Sequence, residues 1–367
     1  MKILMLNYEF PPLGGGSSIA NYYILKELAK IEGLEIHLVT SSSNKFRIEA
    51  FSSSIKIHFL DIGKNGELHF QSFTDLLKYS YKAYKYSKKL IEKENFQLIH
   101  AFFGIPSGYI AMKLGLPYIV SLRGSDVPFH TPRFKVLDLL LFKRLSKKIW
   151  KRAKFVVANS KGLKEEALQT NPEQKIEVIY NGVDISEFKP FDKKHENETI
   201  TFISTGRLAK HKAYHFLIQA LSGIEKVRLV LIGDGKQYEE LKVLANNLNV
   251  MVDFRGKLEH SKIVAELQKA DVFVLPSITE GMSNSLLEAI ACGLPVLVTN
   301  VGGSEELIKG NGFIVEKGNA RALREKIQVY LNDKKLLKVQ AKASVEIAKS
   351  MSWEKVAKRY FEIYHIL

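Results

Sequence analysis

The chain has 367 residues, 46% of them hydrophobic and 25% charged, which leaves room for two packed domains and is too apolar for disorder. Its 54 Lys+Arg against 39 Asp+Glu leave a net charge of +15, and that excess asks for an anionic partner: nucleic acid, a membrane surface or a phosphorylated ligand. The lone cysteine, Cys292, sits in the apolar run 289–295, which excludes a disulfide scaffold and a cysteine-rich metal site and points to core packing.

Residues 2–7 read as a buried strand, followed by a Pro/Gly loop and a helix over about 19–31. Further strands are expected at 35–40, 98–101, 118–121 and 155–159, with helical stretches between. Runs apolar on both sides and separated by helices indicate a parallel sheet covered on both faces. The stretch 189–198 is polar, charged and aperiodic and reads as a linker. A second series of strands follows at 199–204, 228–233, 251–255, 272–276 and 295–299, and the tail from about 320 to 367 is mostly helical. The predicted fold is therefore α/β, with two Rossmann-like doubly wound parallel-sheet domains. The first takes residues 1–188 plus 352–367 and the second 189–351. Ligands of such sheets bind beyond the carboxyl ends of the strands, and a cleft between two such domains suits a small molecule. The apolar start at 3–6 is too short for a signal peptide, and no stretch approaches the ~18 apolar residues of a membrane span. A cytoplasmic protein is expected, with peripheral attachment to the inner face of the plasma membrane left open.

Three loops carry candidate chemistry. Gly14-Gly15-Gly16 leads into a helix, where bare backbone N–H groups can approach an anion; a ligand-free loop fits equally well. Arg207 and Lys212 follow a strand of the second domain, as two cations suited to a pyrophosphate or as a solvated charge run. Glu280 and Glu288 are separated by seven residues after the strand at 272–276. If 281–284 opens a helix, Glu280 lies near its N-terminus and Glu288 on about the same face two turns on, both able to touch one long ligand; a solvated helix face is the plainer alternative. Gly302-Gly303 before Ser304 reads as another backbone cradle or a simple helix start.

Taken together, the segments at 14–16, 99–104, 121–126, 157–160, 179–184, 206–212, 232–235 and 280–296 resemble, in order and spacing, the retaining GT-B glycosyltransferases of family 4, with their glutamate–seven–glutamate motif. The resemblance implies a nucleoside-diphosphate sugar donor, a UDP or GDP sugar, bound mainly by the C-terminal domain. Arg207 and Lys212 match the cations on the diphosphate, and Glu288 the acceptor of ribose hydroxyls. Glu280 matches the residue that contacts the donor sugar and is a catalytic candidate. Gly281, Met282, Ser283, Asn284 and Ser285 lie between them in the donor-binding segment, and Gly15 and Gly16 match a loop that closes over the phosphates. Arg123 and Asp126 complete the catalytic set. No metal and no cofactor beyond the donor is implied, and the leaving phosphate itself helps to deprotonate the acceptor.

This chain departs from the family in two places. Arg123 stands where many members have histidine, which adds a permanent charge and hints at a negatively charged group nearby. Ala213 stands where a glycine usually follows the lysine, a mild change if the position only opens a helix.

The basic excess is concentrated early: residues 1–180 hold 27 Lys+Arg against 16 Asp+Glu, and 181–367 hold 27 against 23. In 134–152, Leu137, Leu141, Leu145 and Ile149 recur every four residues beside a crowd of lysines and arginines. In 76–94, Tyr79, Tyr81, Tyr84 and Tyr86 interleave with five lysines up to Lys89. Such helices suit an anionic membrane surface, or pack on a sheet with a solvated basic face. No nucleic-acid-binding signature is present. The expected activity is transfer of a sugar to a glycan or lipid-linked acceptor in cell-envelope polysaccharide or glycolipid assembly. The alternatives are a catalytically silent nucleotide- or glycan-binding scaffold of the same fold and a nucleotide-sugar epimerase.

Overall fold

A computed structural model describes residues 1–64, 68–69, 71–130, 135–191 and 198–366. Residues 192–197 of the expected linker and Phe134 of the expected basic helix lie outside the described residues. The chain divides into two compact units, Met1–Asn181 with Trp353–Leu367, and Gly182–Ser352. The division after Asn181 comes ahead of the boundary expected at 188.

The first unit carries β1 (Lys2–Leu6), β2 (Glu35–Ser42), β3 (Arg47–Ala50), β4 (Ile55–Asp61), β5 (Leu98–Phe102), β6 (Tyr118–Leu122), β7 (Phe155–Ala158) and β8 (Glu177–Val178). They form one sheet in the order β3-β4-β2-β1-β5-β6-β7-β8. Only β3 is antiparallel, to β4. Its helices of six or more residues are α1 (Gly16–Leu28), α2 (Phe73–Lys93), α3 (Tyr109–Leu114), α4 (Lys143–Arg152), α5 (Lys161–Thr170) and, from the tail, α12 (Trp353–Ile366). The second unit has β9 (Ile200–Thr205), β10 (Val227–Ile232), β11 (Val252–Gly256), β12 (Val272–Leu275), β13 (Val296–Thr299) and β14 (Gly312–Val315). Its sheet, β11-β10-β9-β12-β13-β14, is parallel throughout. Its helices are α6 (Tyr214–Leu221), α7 (Tyr238–Asn247), α8 (His260–Lys269), α9 (Asn284–Ala291), α10 (Ala320–Asn332) and α11 (Lys334–Lys349).

Setting aside β3 and the two-residue β8, both sheets run 3-2-1-4-5-6, the doubly wound order whose direction of winding reverses between first and fourth strands. The reversal falls between β1 and β5 in the first unit and between β9 and β12 in the second. Loops leaving the carboxyl ends of these strands are where a ligand finds backbone rather than side-chain walls.

Four strands escaped the sequence pattern. β3 is an edge strand with mostly exposed residues, β8 has two residues, β14 has four around Gly312, and β4 mixes Lys56 and His58 into its apolar run. The tail joins the first unit: Trp353 stacks on Tyr23 of α1 with ring centroids 5.6 Å apart, and Tyr360 and Tyr364 are buried.

The basic helices differ from expectation. In place of one helix over 134–152, the chain makes a π turn at Asp138–Phe142 before α4. Asp138 turns inward and accepts a hydrogen bond from the Phe129 N–H at 2.9 Å. The extra residue in that turn breaks the every-fourth stripe, so Leu141 faces solvent with Val136, Leu139 and Leu140, at 53–70% exposure. In α2, Tyr79 is buried and donates to the Val39 carbonyl, and Tyr86 hydrogen-bonds His58. Phe73, Leu77, Tyr81 and Tyr84 form the exposed apolar stripe instead.

Candidate functional site

In the second unit four strand-end turns interlock. The Gly206 N–H donates to the Ile232 carbonyl and the Leu208 N–H to the Asp234 carbonyl, fastening the turn after β9 to the one after β10. Gly233 allows this: a Cβ there would meet the Gly206 carbonyl oxygen at 2.0 Å. The turn after β12 is held by the turn after β13. The Gly303 N–H donates to the Gly281 carbonyl at 2.7 Å, and a Cβ on Gly302 would lie 2.1 Å from the Glu280 carbonyl oxygen. The Gly302-Gly303 pair is thus a support for the Glu280 loop. The single helical turn after it, Ser304–Leu307, has no side-chain cap.

Lys212 and Glu280 meet at this reversal point, with Nζ 2.6 Å from Oε1, and Oε1 also accepts from the Ser277 hydroxyl at 2.7 Å. Both side chains are about one-seventh exposed or less, at 14% and 13%. Burial works against both charges, and their mutual attraction overcomes it: Lys212 is held above its ordinary pKa and Glu280 below. Arg207 stands exposed in the same turn after β9. The Ile278 N–H donates to the His211 carbonyl, tying the loops that carry the pair.

Two sequence expectations change here. α9 begins at Asn284, with Ser283 as its N-cap accepting from the Leu286 N–H. Gly281, Met282 and Ser283 are loop, Asn284 and Ser285 open the helix, and Glu280 lies outside it. Helical spacing therefore does not bring Glu280 and Glu288 to one face. Each is placed by its own surroundings. Ala213 has φ 53° and ψ 34°, left-handed, and caps α6; the position needs more than a residue tolerant of a helix start.

Glu288, in the second turn of α9, is raised to about 7 by burial and then by Glu187. His260 lies beside it, with Nε2 4.0 Å from Oε1, and packs edge-on against Phe188. Glu187, Phe188 and His260 were not singled out in the sequence; they come from a loop and a helix start with no motif of charge. Cys292 is buried and its thiol is pushed up to about 12, by burial and then by Glu288, which leaves it a packing residue.

In the first unit, Gly14 has φ 97°, and the Glu9 side chain fills the space where its Cβ would be. The Gly14 carbonyl accepts from Nδ1 of His69 at 2.7 Å. Gly15 caps α1 with open space around it, and Gly16 is its first residue. Glu9, buried beneath the loop, gave no signal in the sequence beyond its place before two prolines.

Asp126 lies in the turn after β6. One oxygen accepts from the Arg123 and Gly124 N–H groups at 2.9 and 3.0 Å, the other from Gly104 at 2.7 Å. Burial raises its pKa despite these bonds. Its carboxylate therefore joins the loops after β5 and β6. The Arg123 guanidinium points elsewhere, donating to Asn181 Oδ1 at 3.0 Å and to the Tyr360 hydroxyl at 3.2 Å. Among the described residues no cluster of three His, Cys, Asp or Glu could hold a metal ion, and no helix is long and apolar enough to cross a membrane.

The model of the glycosyl transferases group 1 matches residues 185–346, and that of glycosyltransferase family 4 matches residues 14–187. An uncharacterised glycosyltransferase of Methanocaldococcus jannaschii is 28% identical over 100% of this chain and 99% of its own. The N-acetylgalactosamine-N,N'-diacetylbacillosaminyl-diphospho-undecaprenol 4-alpha-N-acetylgalactosaminyltransferase of Campylobacter jejuni is 27% identical over 88% of this chain and 89% of its own. Among solved structures, sucrose-phosphate synthase from Thermosynechococcus elongatus superposes with a TM-score of 0.86 at 21% identity, over 99% of this chain and 98% of that one. Anabaena HepE in complex with UDP-glucose gives 0.75 at 21% identity, over the whole of both chains. These likenesses show the GT-B fold.

Proposed function

Because the chain belongs to glycosyltransferase family 4, whose two models match it from residue 14 to residue 346, we propose that it is a retaining, metal-independent transferase that moves a sugar from a nucleoside-diphosphate sugar to a glycan or lipid-linked acceptor. The observation that carries this reading is the Lys212–Glu280 pair at the reversal point of the second sheet. A fixed cation and a fixed carboxylate at 2.6 Å can serve the two ends of one substrate, the ammonium the diphosphate and the carboxylate the sugar hydroxyls. Arg207 in the same turn supplies the second cation. Glu288, a nearly buried carboxyl, suits a diol donor such as ribose. The segment Gly281 to Ser285 offers the N–H groups at the start of α9.

In the reaction the bond from the sugar's anomeric carbon to the phosphate oxygen breaks and a bond to the acceptor oxygen forms on the same face. The acceptor proton passes to the departing phosphate oxygen. Arg207 and Lys212 stabilise the charge that develops on the diphosphate, and no cofactor is needed.

The C. jejuni relative is named for a diphospho-undecaprenol acceptor and the HepE structure for UDP-glucose. The first supports a lipid-linked acceptor, as in cell-envelope glycan assembly, and the second a nucleotide-sugar donor. The first unit's exposed apolar residues at 136–141, beside Lys143, Arg144, Lys147 and Lys148, and the stripe on α2 among its lysines suit an anionic bilayer carrying the acceptor. A thermal-shift panel of UDP-, GDP- and ADP-sugars tests the reading. One nucleotide class should raise the melting temperature in the wild type and not in Glu280→Ala or Arg207→Ala, and a shift unchanged in both variants would remove the site.

A further inference from the structure

Tyr214, the first residue of α6, is 1% exposed, and its ring belongs to the core of the second unit. Among the described residues its hydroxyl has no hydrogen-bond partner, and neither has the hydroxyl of Ser204 on β9, which is fully buried. The two hydroxyls are neighbours, yet neither is placed to bond the other. Tyr214 and Lys212 meet beside Gly206: a Cβ there would lie 3.0 Å from Tyr214 Oη and 3.7 Å from Lys212 Nζ. Burial raises the pKa of the phenol, against the pull of the Lys212 charge, so it stays a neutral O–H.

A buried hydroxyl without a partner costs the free protein stability, and a phenylalanine would fill the same apolar place without that cost. An ammonium has three N–H donors; the hydrogen bond that Lys212 makes from Nζ goes to Glu280 Oε1 at 2.6 Å. Lys212 and Glu280 keep 14% and 13% of their side-chain surface exposed. A ligand can therefore touch the pair but not the phenol, and the hydroxyl can act on a ligand only through the pair. All of these groups belong to the second unit.

Resting on the reading of Lys212 as a diphosphate-binding cation, we propose that Tyr214 is its positioning residue: once a diphosphate is bound, the hydroxyl accepts a hydrogen bond from a second N–H of the ammonium and holds the cation between Glu280 and the phosphate oxygens. The movement needed is small, because both groups border the same bare Cα at Gly206. The hydroxyl unpaired in the free protein is paired in the donor-bound one, and that gain appears as affinity.

The test sets affinity against stability. Titration calorimetry with UDP, GDP and ADP identifies the diphosphate that the wild type binds, and Tyr214→Phe should bind it about ten-fold more weakly. The urea midpoint of the free variant should equal or exceed that of the wild type, because only an unpaired hydroxyl has been removed; a hydroxyl with a merely structural role would lower it. In a Lys212→Met background, read by thermal shift at millimolar nucleotide, adding Tyr214→Phe should change the shift little. Unchanged affinity in Tyr214→Phe overturns the proposal. So does a lowered midpoint of the free variant, and so does a further loss of similar size in the Lys212→Met background, because the hydroxyl would then act without the ammonium. Binding of none of the three diphosphates by the wild type would overturn the donor reading itself, and this inference with it.

Discussion

The ammonium of Lys212 and the carboxylate of Glu280 stand 2.6 Å apart across 68 residues of sequence, each held charged against the cost of burial by the other. Removing one partner leaves the other charge enclosed and uncompensated. Glu280→Gln or Lys212→Met should therefore lower stability by about 3 kcal/mol, while the double variant recovers much of the loss. All three should lack transferase activity. Urea denaturation with a radiolabelled-sugar transfer assay reads both effects. Additive losses in the double variant would deny the coupling.

Gly302 offers a test of the support under Glu280. Its φ is +49° and a Cβ would overlap the Glu280 carbonyl, so Gly302→Ala must displace the loop. Gly310 also has a positive φ, +80°, with nothing within 4 Å. Gly310→Ala should cost only the left-handed penalty, about 1 kcal/mol, and keep full activity, whereas Gly302→Ala should lose both transfer and the donor-induced thermal shift.

At Ala213 three small effects oppose one another. Replacing it with glycine relieves about 1–2 kcal/mol of left-handed strain, loses a buried methyl worth about 0.8 kcal/mol and frees the unfolded chain by about 0.4–1 kcal/mol. Ala213→Gly should thus sit within about 1 kcal/mol of the wild type. Ala213→Val, branched at a left-handed position with no exposure, should lose more than about 2 kcal/mol. Thermal denaturation separates the two.

Two buried groups make opposing contributions to stability between about pH 4 and 7. His58 is depressed to about 4, by burial and then by the neighbouring His37 and Lys56. The unfolded chain takes up this proton first as pH falls below 6.5, so stability drops from there down to about 4. Glu288 is raised to about 7. The unfolded chain releases this proton first as pH rises above 4.5, so stability drops from there up to about 7. Each shift corresponds to about 3 kcal/mol. In Glu288→Gln the opposing contribution disappears, and relative to the wild type stability should climb with pH by about 3 kcal/mol between 4.5 and 7. Denaturant midpoints across that range would read it, and parallel curves for the two proteins would contradict the assignment.

The exposed leucines of the π turn give a membrane test. Replacing Leu139, Leu140 and Leu141 with serine removes apolar surface that is already in solvent, so folding should change little. Sedimentation with phosphatidylglycerol-containing vesicles should fall several-fold, while the donor thermal shift stays as in the wild type. Unchanged sedimentation would move membrane contact to another surface.

The sequence alone determined the two doubly wound sheets, because buried parallel strands must be apolar on both faces and are written as short uniform runs. It also marked Arg207, Lys212, Glu280 and Glu288, since a recurring order of short motifs survives without coordinates. Tertiary structure decided what those residues touch. The Lys212–Glu280 pair depends on two strands, β9 and β12, becoming neighbours at the reversal of the sheet. The placement of Glu280 outside α9 depends on Gly302 lying against its carbonyl. The helical periodicity used to join the glutamates, and to align Leu141 with Leu137 and Leu145, failed where a loop and a π turn replaced regular helix. Arg123 was legible as a charge, but its neutral surroundings depend on Asn181 and Tyr360, brought to it from 58 and 237 residues away. Local sequence sets periodicity and propensity; the partners of a buried charge are set by which distant segments the sheet brings together.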